Sequence, residues 1–378
     1  MTKSDTPHPH PHWMLREIYE QPETLAATLA RYLDADGFRA ATCKPILEWL
    51  QRIESKIVIA ASGSSRHAGL VAELVIEDLS GIAVDVEYAS EYCYRAERAL
   101  PNAAVLVISQ SGETVDTLAA LRKAKLAGHE TLAITNVDDS TMEREATAAF
   151  PTIAGRERAI PATKSFTAQL LNLYLLALMK ARQLDTLSES ELKARLSELA
   201  ALPADIEAQL KGWDDAMRVI AGRLQHARNF LFLGRGIHYA IAREGALKLK
   251  ESAYLHAEGY PSGELKHGPN ALVVDGTPLV MLATVDHSDP DSVQRYDKVA
   301  QLMRDMREQG ATILAIANTG DEAIAALASH TIYVAEMREP LLAICETIPL
   351  QLLSYWMAIN NGIDVDHPRN LTKAVLSE

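Results

Sequence analysis

Cysteine is scarce in this chain of 378 residues, which contains only Cys43, Cys93 and Cys345. The three lie far apart, their number is odd, and their spacing matches no set of metal ligands. A disulfide framework or a cysteine-rich metal site is therefore not indicated, and the composition favours a reduced, cytoplasmic setting. We expect all three to be core residues.

Basic residues are also fewer than acidic ones: the chain has 37 Lys and Arg and 50 Asp and Glu, which gives a net charge of −13. A protein whose main partner is a nucleic acid or an anionic membrane needs a basic face, so we expect neither partner. A small anion bound by local dipoles remains compatible with this charge.

Long apolar runs are missing too. No uninterrupted run approaches the ~20 residues that span a bilayer, and residues 1–15 contain no apolar signal segment. The alternating His and Pro of residues 7–12 resemble a metal-binding tract, but their composition is more typical of a disordered polar leader. We therefore expect no membrane anchor and no metal site there.

The sequence contains an internal repeat of two segments. "KIVIAASGSSRHAGL" at 56–70 is matched in pattern by "NFLFLGRGIHYAIAR" at 229–243, and "AVLVIS" at 104–109 by "PLVMLA" at 278–283, an offset of about 173 residues. In each block an apolar run leads through small residues into a helical pattern. The sequence thus predicts an α/β fold with two similar domains, each a parallel sheet flanked by helices on both faces.

We place the predicted boundaries where these patterns change. Residues 1–45 form an N-terminal leader and helices, 46–185 the first domain, 186–225 connecting helices, 226–360 the second domain and 361–378 a C-terminal tail. Ser188 and Glu191 have the spacing of a capping box, which indicates that a connecting helix begins there.

Hydroxyl and amide side chains are concentrated in "AVLVISQSGETVDTL" at 104–118, between an apolar strand and a helical pattern. Backbone N–H groups and the helix dipole at such a junction suit a phosphate, while Ser and Thr are also common there as simple helix caps. The residues alone leave both interpretations open. A dinucleotide site at "GRGIHY" (234–239) is disfavoured, because Tyr239 stands where the fingerprint needs a small residue.

Longer motifs carry a family resemblance. "SQSGET", with "GSS" at 63–65, resembles the phosphosugar loops of the sugar isomerase (SIS) domain family. Five further motifs look like the isomerase half of glutamine:fructose-6-phosphate amidotransferase: "HWMLREIYEQP" (12–22), "ASEYCYR" (89–95), "EGALKLKE" (244–251), "GELKHGP" (263–269) and "DVDHPRNLTKAV" (364–375). The likeness covers nearly the whole chain and implies two tandem SIS domains.

The resemblance also implies a set of substrate-binding residues. The loop after the second apolar strand would bind the sugar phosphate through Ser109, Gln110, Ser111 and Thr114. The loop after the first would contact the sugar and its phosphate through Ser64 and Ser65. Ile160 and Ala162, in "AIPATKSFTAQL" (159–170), are also implied as substrate-binding.

Four residues are implied as catalytic. Glu251 would move a proton between C1 and C2 with Lys248 beside it, His267 from a neighbouring subunit would assist ring opening, and Lys373 would form a Schiff base with the ketose. A carboxylate, a histidine and a lysine suit these three tasks. A homodimer with a shared active site follows from the resemblance, and no metal or organic cofactor is implied.

Each of these four residues also has a non-catalytic interpretation when only its spacing in the sequence is considered. Lys248 and Glu251 are three residues apart on a predicted helix, as in many exposed ion pairs. His267 would equally suit an ordinary loop, and Lys373 a mobile tail. Only the surrounding motifs favour catalysis.

Three departures from the amidotransferase bear on the direction of reaction. The chain enters the isomerase motif without a preceding glutaminase half. Ala162 replaces a usual serine, so that "ATKSF" resembles stand-alone glucosamine-6-phosphate deaminases, and Ser62 replaces a usual cysteine. We therefore expect interconversion of glucosamine 6-phosphate with fructose 6-phosphate and ammonia, chiefly as deamination.

Alternatives to deamination are an ammonia-dependent or partner-fed synthase, a deglycase acting on another amino-sugar phosphate, and a non-catalytic phosphosugar sensor. Glu251, His267 and Lys373 argue against the sensor, because a binding protein has no need of a proton shuttle.

Overall fold

The computed structural model describes residues 6–96, 103–373 and 375, which fall into two compact units. The N-unit comprises Glu20–Glu157, Lys164–Pro203 and Thr372–Glu378. The C-unit comprises Met1–Tyr19, Arg158–Thr163 and Ala204–Leu371.

The helices and strands are numbered along the chain. They are α1 (Trp13–Tyr19), α2 (Gln21–Tyr32), β1 (Leu33–Asp34), β2 (Gly37–Phe38), α3 (Ala40–Gln51), β3 (Lys56–Ala61), α4 (Gly63–Ser80), β4 (Ala83–Tyr88), α5 (Ala89–Tyr92), β5 (Ala103–Ser109), α6 (Val115–Leu126), β6 (Thr131–Thr135), α7 (Thr141–Glu145), β7 (Ala148–Ala149), α8 (Lys164–Gln183), α9 (Glu189–Leu224), β8 (Asn229–Gly234), α10 (Ile237–Ala253), β9 (His256–Pro261), β10 (Pro278–Ala283), α11 (Pro290–Glu308), β11 (Thr312–Asn318), α12 (Glu322–Leu327), β12 (His330–Val334) and α13 (Glu339–Asn360).

The N-unit is built around a parallel sheet with strand order β4-β3-β5-β6-β7. Its central strands β5 and β6 are buried along their whole length, as expected for strands covered by helices on both faces. Helix α8 is buried from its first residue to Ala181 and packs against α4. Burial of these apolar surfaces is the main source of stability of the unit.

The C-unit repeats this arrangement in the order β9-β8-β10-β11-β12, again with every pair parallel. Helix α10 follows β8 as α4 follows β3, and α10 packs against α13 as α4 packs against α8. The predicted duplication of a helix-flanked parallel sheet is confirmed.

Helix α13 (Glu339–Asn360) is the one helix of the described ranges that is long and apolar enough to cross a membrane. In its most apolar window, 89% of the residues are buried inside the protein. Its composition is therefore accounted for by its position in the core.

The segment predicted as a disordered leader is partly fixed. His12 Nδ1 lies 2.9 Å from the Tyr355 hydroxyl, and the ring of His10 packs on Tyr19 with centroids 4.6 Å apart. Aromatic and hydrogen-bonding contacts thus hold residues 10–12 in the C-unit, which composition alone did not indicate.

Two local expectations also have clear outcomes. Glu191 N donates to Ser188 Oγ (3.2 Å) and Ser188 N to Glu191 Oε2 (3.1 Å), so the capping box opens the 36-residue helix α9.

Cys43 and Cys345 are buried as expected, while Cys93 is only partly buried.

Candidate active site

The predicted phosphate loop of the N-unit is a tight turn between β5 and α6. Ser109 is 4% exposed, its Oγ accepts a hydrogen bond from Gly112 N (3.2 Å), and it lies 3.1 Å from Thr114 Oγ1. Gly112 has φ +67°, and a Cβ there would lie 2.2 Å from Ser140 Oγ. Both the backbone conformation and the close approach therefore require glycine.

The hydroxyl of Thr114 does not cap helix α6. Thr114 occupies the N-cap position, but its side chain makes no hydrogen bond to the helix N–H groups. Ser111 Oγ accepts from Glu113 N (3.2 Å), which orders the turn itself. Thr114 therefore supplies no side-chain cap to the first turn of α6, and an uncapped helix N-terminus suits an anion.

A second loop lies beside the first. Strands β3 and β5 are parallel neighbours, with Ala61 paired to Ile108, so the loops that follow them leave the same edge of the sheet. Ser64 and Ser65 lie half-buried in the first turn of α4, after Gly63 at φ +54°. The structure therefore brings these serines and the Ser109–Thr114 loop to one crevice, the place where open α/β sheets bind ligands.

The tail of the chain contacts the same helix terminus. Val375 O accepts a hydrogen bond from Val115 N (3.1 Å), the first residue of α6. Two residues earlier, Lys373 Nζ lies 2.5 Å from the carboxylate of Glu157, which is fully buried and also accepts from Ser165 N and Oγ. Within the N-unit, Lys373 is thus an anchored residue and not a mobile tail cation.

Ile160 and Ala162 lie in a short segment of the C-unit and are half-buried. The start of this segment is fixed by Glu17, a carboxylate 1% exposed, which accepts from Arg158 N (2.5 Å) and Ala159 N (3.2 Å). The backbone conformation around Ile160 is therefore held by a buried charge that the sequence patterns did not reveal.

In the C-unit, helix α10 places three charged side chains on one face. Lys248 Nζ lies 2.5 Å from Glu251 Oε2 and 3.4 Å from Glu244 Oε1. The side chains of Lys248 and Glu244 are each 1% exposed, whereas that of Glu251 is 22% exposed. The interpretation of Lys248 and Glu251 as an exposed ion pair is therefore wrong, because tertiary packing buries the lysine.

Glu251 faces a cavity of about 480 Å³. Its lining residues are Lys250, Glu251, Tyr254, Leu255, His256, Arg369, Asn370 and Leu371. Arg369 N donates to the Tyr254 hydroxyl (2.6 Å), and the Arg369 guanidinium lies over the Tyr254 ring at 4.3 Å. The cavity lining therefore combines a carboxylate held by a buried lysine with the cationic residues Lys250 and Arg369.

His267 is placed apart from that cavity. It is exposed at the end of a 3₁₀ helix, Ser262–His267, and is absent from the cavity lining. In the segment after it, Leu272 and Val274 are 60% and 64% exposed. The structure thus leaves an exposed histidine followed by two exposed apolar side chains on the surface of the C-unit.

Glu157 and Glu244 are further buried carboxylates that were not predicted from the sequence. Glu244 lies four residues before Lys248 on the same helix face, and this spacing is the signal from which their contact could have been predicted. Glu157 lies 216 residues from Lys373, and no local pattern signals such a pair.

The crevice of the second sheet is filled by charged groups of the chain itself. His238, 173 residues after Ser65, lies 2.8 Å from Glu346 and 3.1 Å from Glu339. Arg295 donates to Glu339 from Nη2 (2.6 Å) and Nε (3.0 Å). The two repeats have therefore diverged in chemistry at corresponding positions.

Comparison with known proteins agrees with this architecture. The SIS domain family matches residues 52–179 and 223–361. The isomerizing glutamine–fructose-6-phosphate aminotransferase of Chlorobaculum tepidum is 43% identical over 371 residues, which is 97% of this chain but 58% of that protein.

Solved structures show the same relationship. The C-terminal domain of the glucosamine-fructose-6-phosphate aminotransferase of Francisella tularensis is 35% identical with a TM-score of 0.89, covering 96% of this chain and 100% of its own. A glucosamine-6-phosphate deaminase from Thermotoga maritima shares the fold at 24% identity and a TM-score of 0.70, with 96% and 99% covered. The repeated sheets, the hydroxyl loop and these matches together establish that the chain belongs to the SIS domain family.

Proposed function

We propose that the chain interconverts glucosamine 6-phosphate and water with fructose 6-phosphate and ammonia, chiefly in the direction of deamination. The observation that carries this proposal is Glu251, a carboxylate that faces a cavity while the buried Lys248 binds one of its oxygens. A positioned carboxylate of this kind is the base that aldose–ketose isomerisation needs.

The phosphate group is assigned to the crevice of the N-unit. The proposed donors to the dianion are the first turn of α6, which Thr114 does not cap, the hydroxyls of Ser109, Ser111 and Thr114, and the neighbouring Ser64 and Ser65. Gln110, Ile160 and Ala162 are assigned to the same substrate by resemblance. No metal or organic cofactor is part of this proposal.

The chemistry then follows in three steps. His267 exchanges protons with the ring oxygen and opens the pyranose. Glu251 removes the proton from C2 of the open aldose and returns it to C1, which leaves an imine at C2. The Lys373 amine displaces ammonia from that imine, and water then releases fructose 6-phosphate from the lysine.

The assembly proposed is a homodimer in which His267 acts at the partner's site. The support is the exposure of His267, which is absent from the Glu251 cavity, and of the apolar Leu272 and Val274 that follow it. Apolar side chains exposed in this way are typical of surfaces that bind another protein. We place the enzyme in the cytoplasm, where its three free cysteines stay reduced.

A synthase supplied with ammonia is the second candidate. It is favoured by the relatives, because the protein of Chlorobaculum tepidum and the domain of Francisella tularensis are both named aminotransferases. Ala162 and Ser62, which depart from the amidotransferase pattern, favour deamination instead. A deglycase acting on another amino-sugar phosphate uses the same base and is separated from both by its substrate.

The test is incubation of the purified chain with glucosamine 6-phosphate, followed by assay of ammonia and fructose 6-phosphate. Both products should appear in equal amounts. Turnover only from fructose 6-phosphate and ammonium would favour the synthase, and binding without turnover would favour a sensor. We expect glutamine to donate no nitrogen. Burial raises the pKa of Cys43 to about 11 and also raises that of Cys345, which disfavours both thiols as nucleophiles.

A further inference from the structure

Glu157 is a buried carboxylate that the proposed reaction does not use. Its side chain is 0% exposed and accepts hydrogen bonds from Ser165 N (3.1 Å) and Ser165 Oγ (2.7 Å). Burying a carboxylate is costly unless it is paired and hydrogen-bonded, so its position at the start of α8 requires a compensating partner.

Lys373 is such a partner, because its Nζ lies 2.5 Å from Glu157 Oε2. The Lys373 side chain is 24% exposed, so it is held by a buried carboxylate and yet is partly open to solvent. Val375, two residues later, is hydrogen-bonded to the first N–H of α6, directly after the predicted phosphate loop. The carboxylate therefore contacts the amine next to the place assigned to the phosphosugar.

We infer that Glu157 positions Lys373 and accepts its proton, an inference that rests on the proposed function. An ammonium group has no lone pair with which to attack a carbonyl. Transfer of one proton to Glu157 gives the neutral amine, whose nitrogen bonds to C2 of the open ketose while its second proton passes to the oxygen. Glu157 then returns the first proton to the hydroxyl, which leaves as water and gives the protonated imine.

A simple ion pair has the opposite consequence. A carboxylate that does nothing but pair with Lys373 stabilises the ammonium form, so its removal would release the amine and speed imine formation. Loss of a proton acceptor slows the same step. The sign of the effect therefore separates the two roles.

The experiment is reductive trapping. Wild type and Glu157→Gln are mixed with fructose 6-phosphate and cyanoborohydride, and the adduct on Lys373 is followed by mass spectrometry from pH 5.5 to 9.5. We expect wild type to trap, and Glu157→Gln to trap at least about tenfold more slowly at pH 7, with a rate that rises steeply with pH. The affinity of the variant for fructose 6-phosphate should be unchanged.

Glu20→Gln is the matched control. Glu20 forms a similar ion pair in the same unit, 2.6 Å from Lys164 Nζ, with side chains 14% and 2% exposed. Its loss should lower the melting temperature without slowing trapping. A merely structural effect of Glu157→Gln would appear in this variant as well.

Each outcome decides a separate question. No adduct on wild-type Lys373 would overturn the proposed role of Lys373 and this inference with it. Adduct formation in Glu157→Gln as fast as in wild type, or faster, would overturn the inference alone. If Glu157→Gln does not fold, Ser165→Ala serves instead. Glu157 then loses one hydrogen-bond donor, so the acid side of the plot of trapping rate against pH should move to higher pH. An unchanged plot would contradict the inference.

Discussion

The imidazole of His238 and the carboxylate of Glu346 lie 2.8 Å apart, 3% and 0% exposed, in the crevice of the second sheet. Burial alone would lower the pKa of His238, but the charge of Glu346 and hydrogen bonds to Glu339 and Glu346 raise it to about 10. The ring is therefore a cation at neutral pH, held between two carboxylates, whereas the first repeat has Ser65 at the corresponding position.

This pair predicts a loss of stability at alkaline pH. Because the folded pKa of His238 lies above the unfolded value of about 6.5, its contribution is complete below pH ~6.5 and declines as the pH rises to about 10. His238→Gln should be less stable than wild type by about 3 to 5 kcal/mol at pH 6, since it leaves the buried Glu346 without its cationic partner, while Glu339 keeps Arg295. Urea unfolding of wild type and of His238→Gln at pH 6 and at pH 9.5 measures the stability of each protein and its change with pH.

The difference in the free energy of unfolding between wild type and His238→Gln should be smaller at pH 9.5 than at pH 6. An equal difference at both pH values would mean that folding does not raise the pKa of His238 and would contradict the prediction.

Replacement of Glu251 by glutamine should separate binding from catalysis. The amide keeps the shape and a contact to Lys248 but accepts no proton from carbon, so turnover of glucosamine 6-phosphate should fall by about 10² to 10⁴-fold. Calorimetry should show affinity for the sugar phosphate close to that of wild type. Turnover near the wild-type rate would remove Glu251 from the mechanism.

The local parts of this fold were predictable from the sequence. The apolar runs at 56–61 and 104–109 are buried strands, and the small residues after them lie at the carboxyl ends, because a parallel strand covered on both faces has a distinctive composition. The loop at Ser109–Thr114 follows directly from that assignment. The duplication was visible for the same reason.

Contacts between distant residues were not predictable in this way. His238 and Glu346 are separated by 108 positions and Glu157 and Lys373 by 216, and no periodic pattern connects them. The burial of Lys248 was hidden for a different reason: a spacing of three residues is the same for an exposed and a buried pair, and only packing distinguishes them. The catalytic roles themselves remain predictions.

The predicted phosphate loop should depend on the glycine at its centre. Gly112→Ala introduces a Cβ 2.2 Å from Ser140 Oγ at φ +67°, so the loop must shift. Gly128→Ala, at φ +81° with no atom within 4 Å, places a similar backbone strain of about 1 kcal/mol in open space. Gly112→Ala should weaken binding of fructose 6-phosphate and lower the melting temperature more than Gly128→Ala, as calorimetry and thermal unfolding would measure. Equal effects would show that the contact with Ser140 is unimportant.

Removal of single loop hydroxyls should weaken both sugar phosphates alike. Ser111→Ala and Thr114→Ala each delete a proposed donor to the shared phosphate, and a hydrogen bond to a charged group contributes roughly 1.5 to 3 kcal/mol. Ser188→Ala, which removes a capping hydroxyl from α9, is the control and should alter stability alone. Calorimetry with glucosamine 6-phosphate and fructose 6-phosphate decides the matter, and unchanged affinities would leave these residues as structural elements of the turn.

The proposed shared site predicts complementation between two inactive variants. If Glu251 and His267 of one site come from different chains, a heterodimer of Glu251→Gln with His267→Ala has one intact site and one doubly altered site. Random reassortment of equal amounts gives half heterodimers, so activity should return to about one quarter of wild type by counting sites in an isologous dimer.

The control for this recovery is a mixture of Glu251→Gln with the double variant Glu251→Gln/His267→Ala, in which every site lacks the base. Activity should stay at the level of Glu251→Gln alone, because exchange of subunits cannot supply the missing carboxylate. Recovery in the first mixture but not in the second requires that His267 act across an interface, since a histidine acting within its own chain leaves both sites of the heterodimer damaged. Absence of recovery after demonstrated subunit exchange would place His267 in the site of its own chain and contradict the shared dimer.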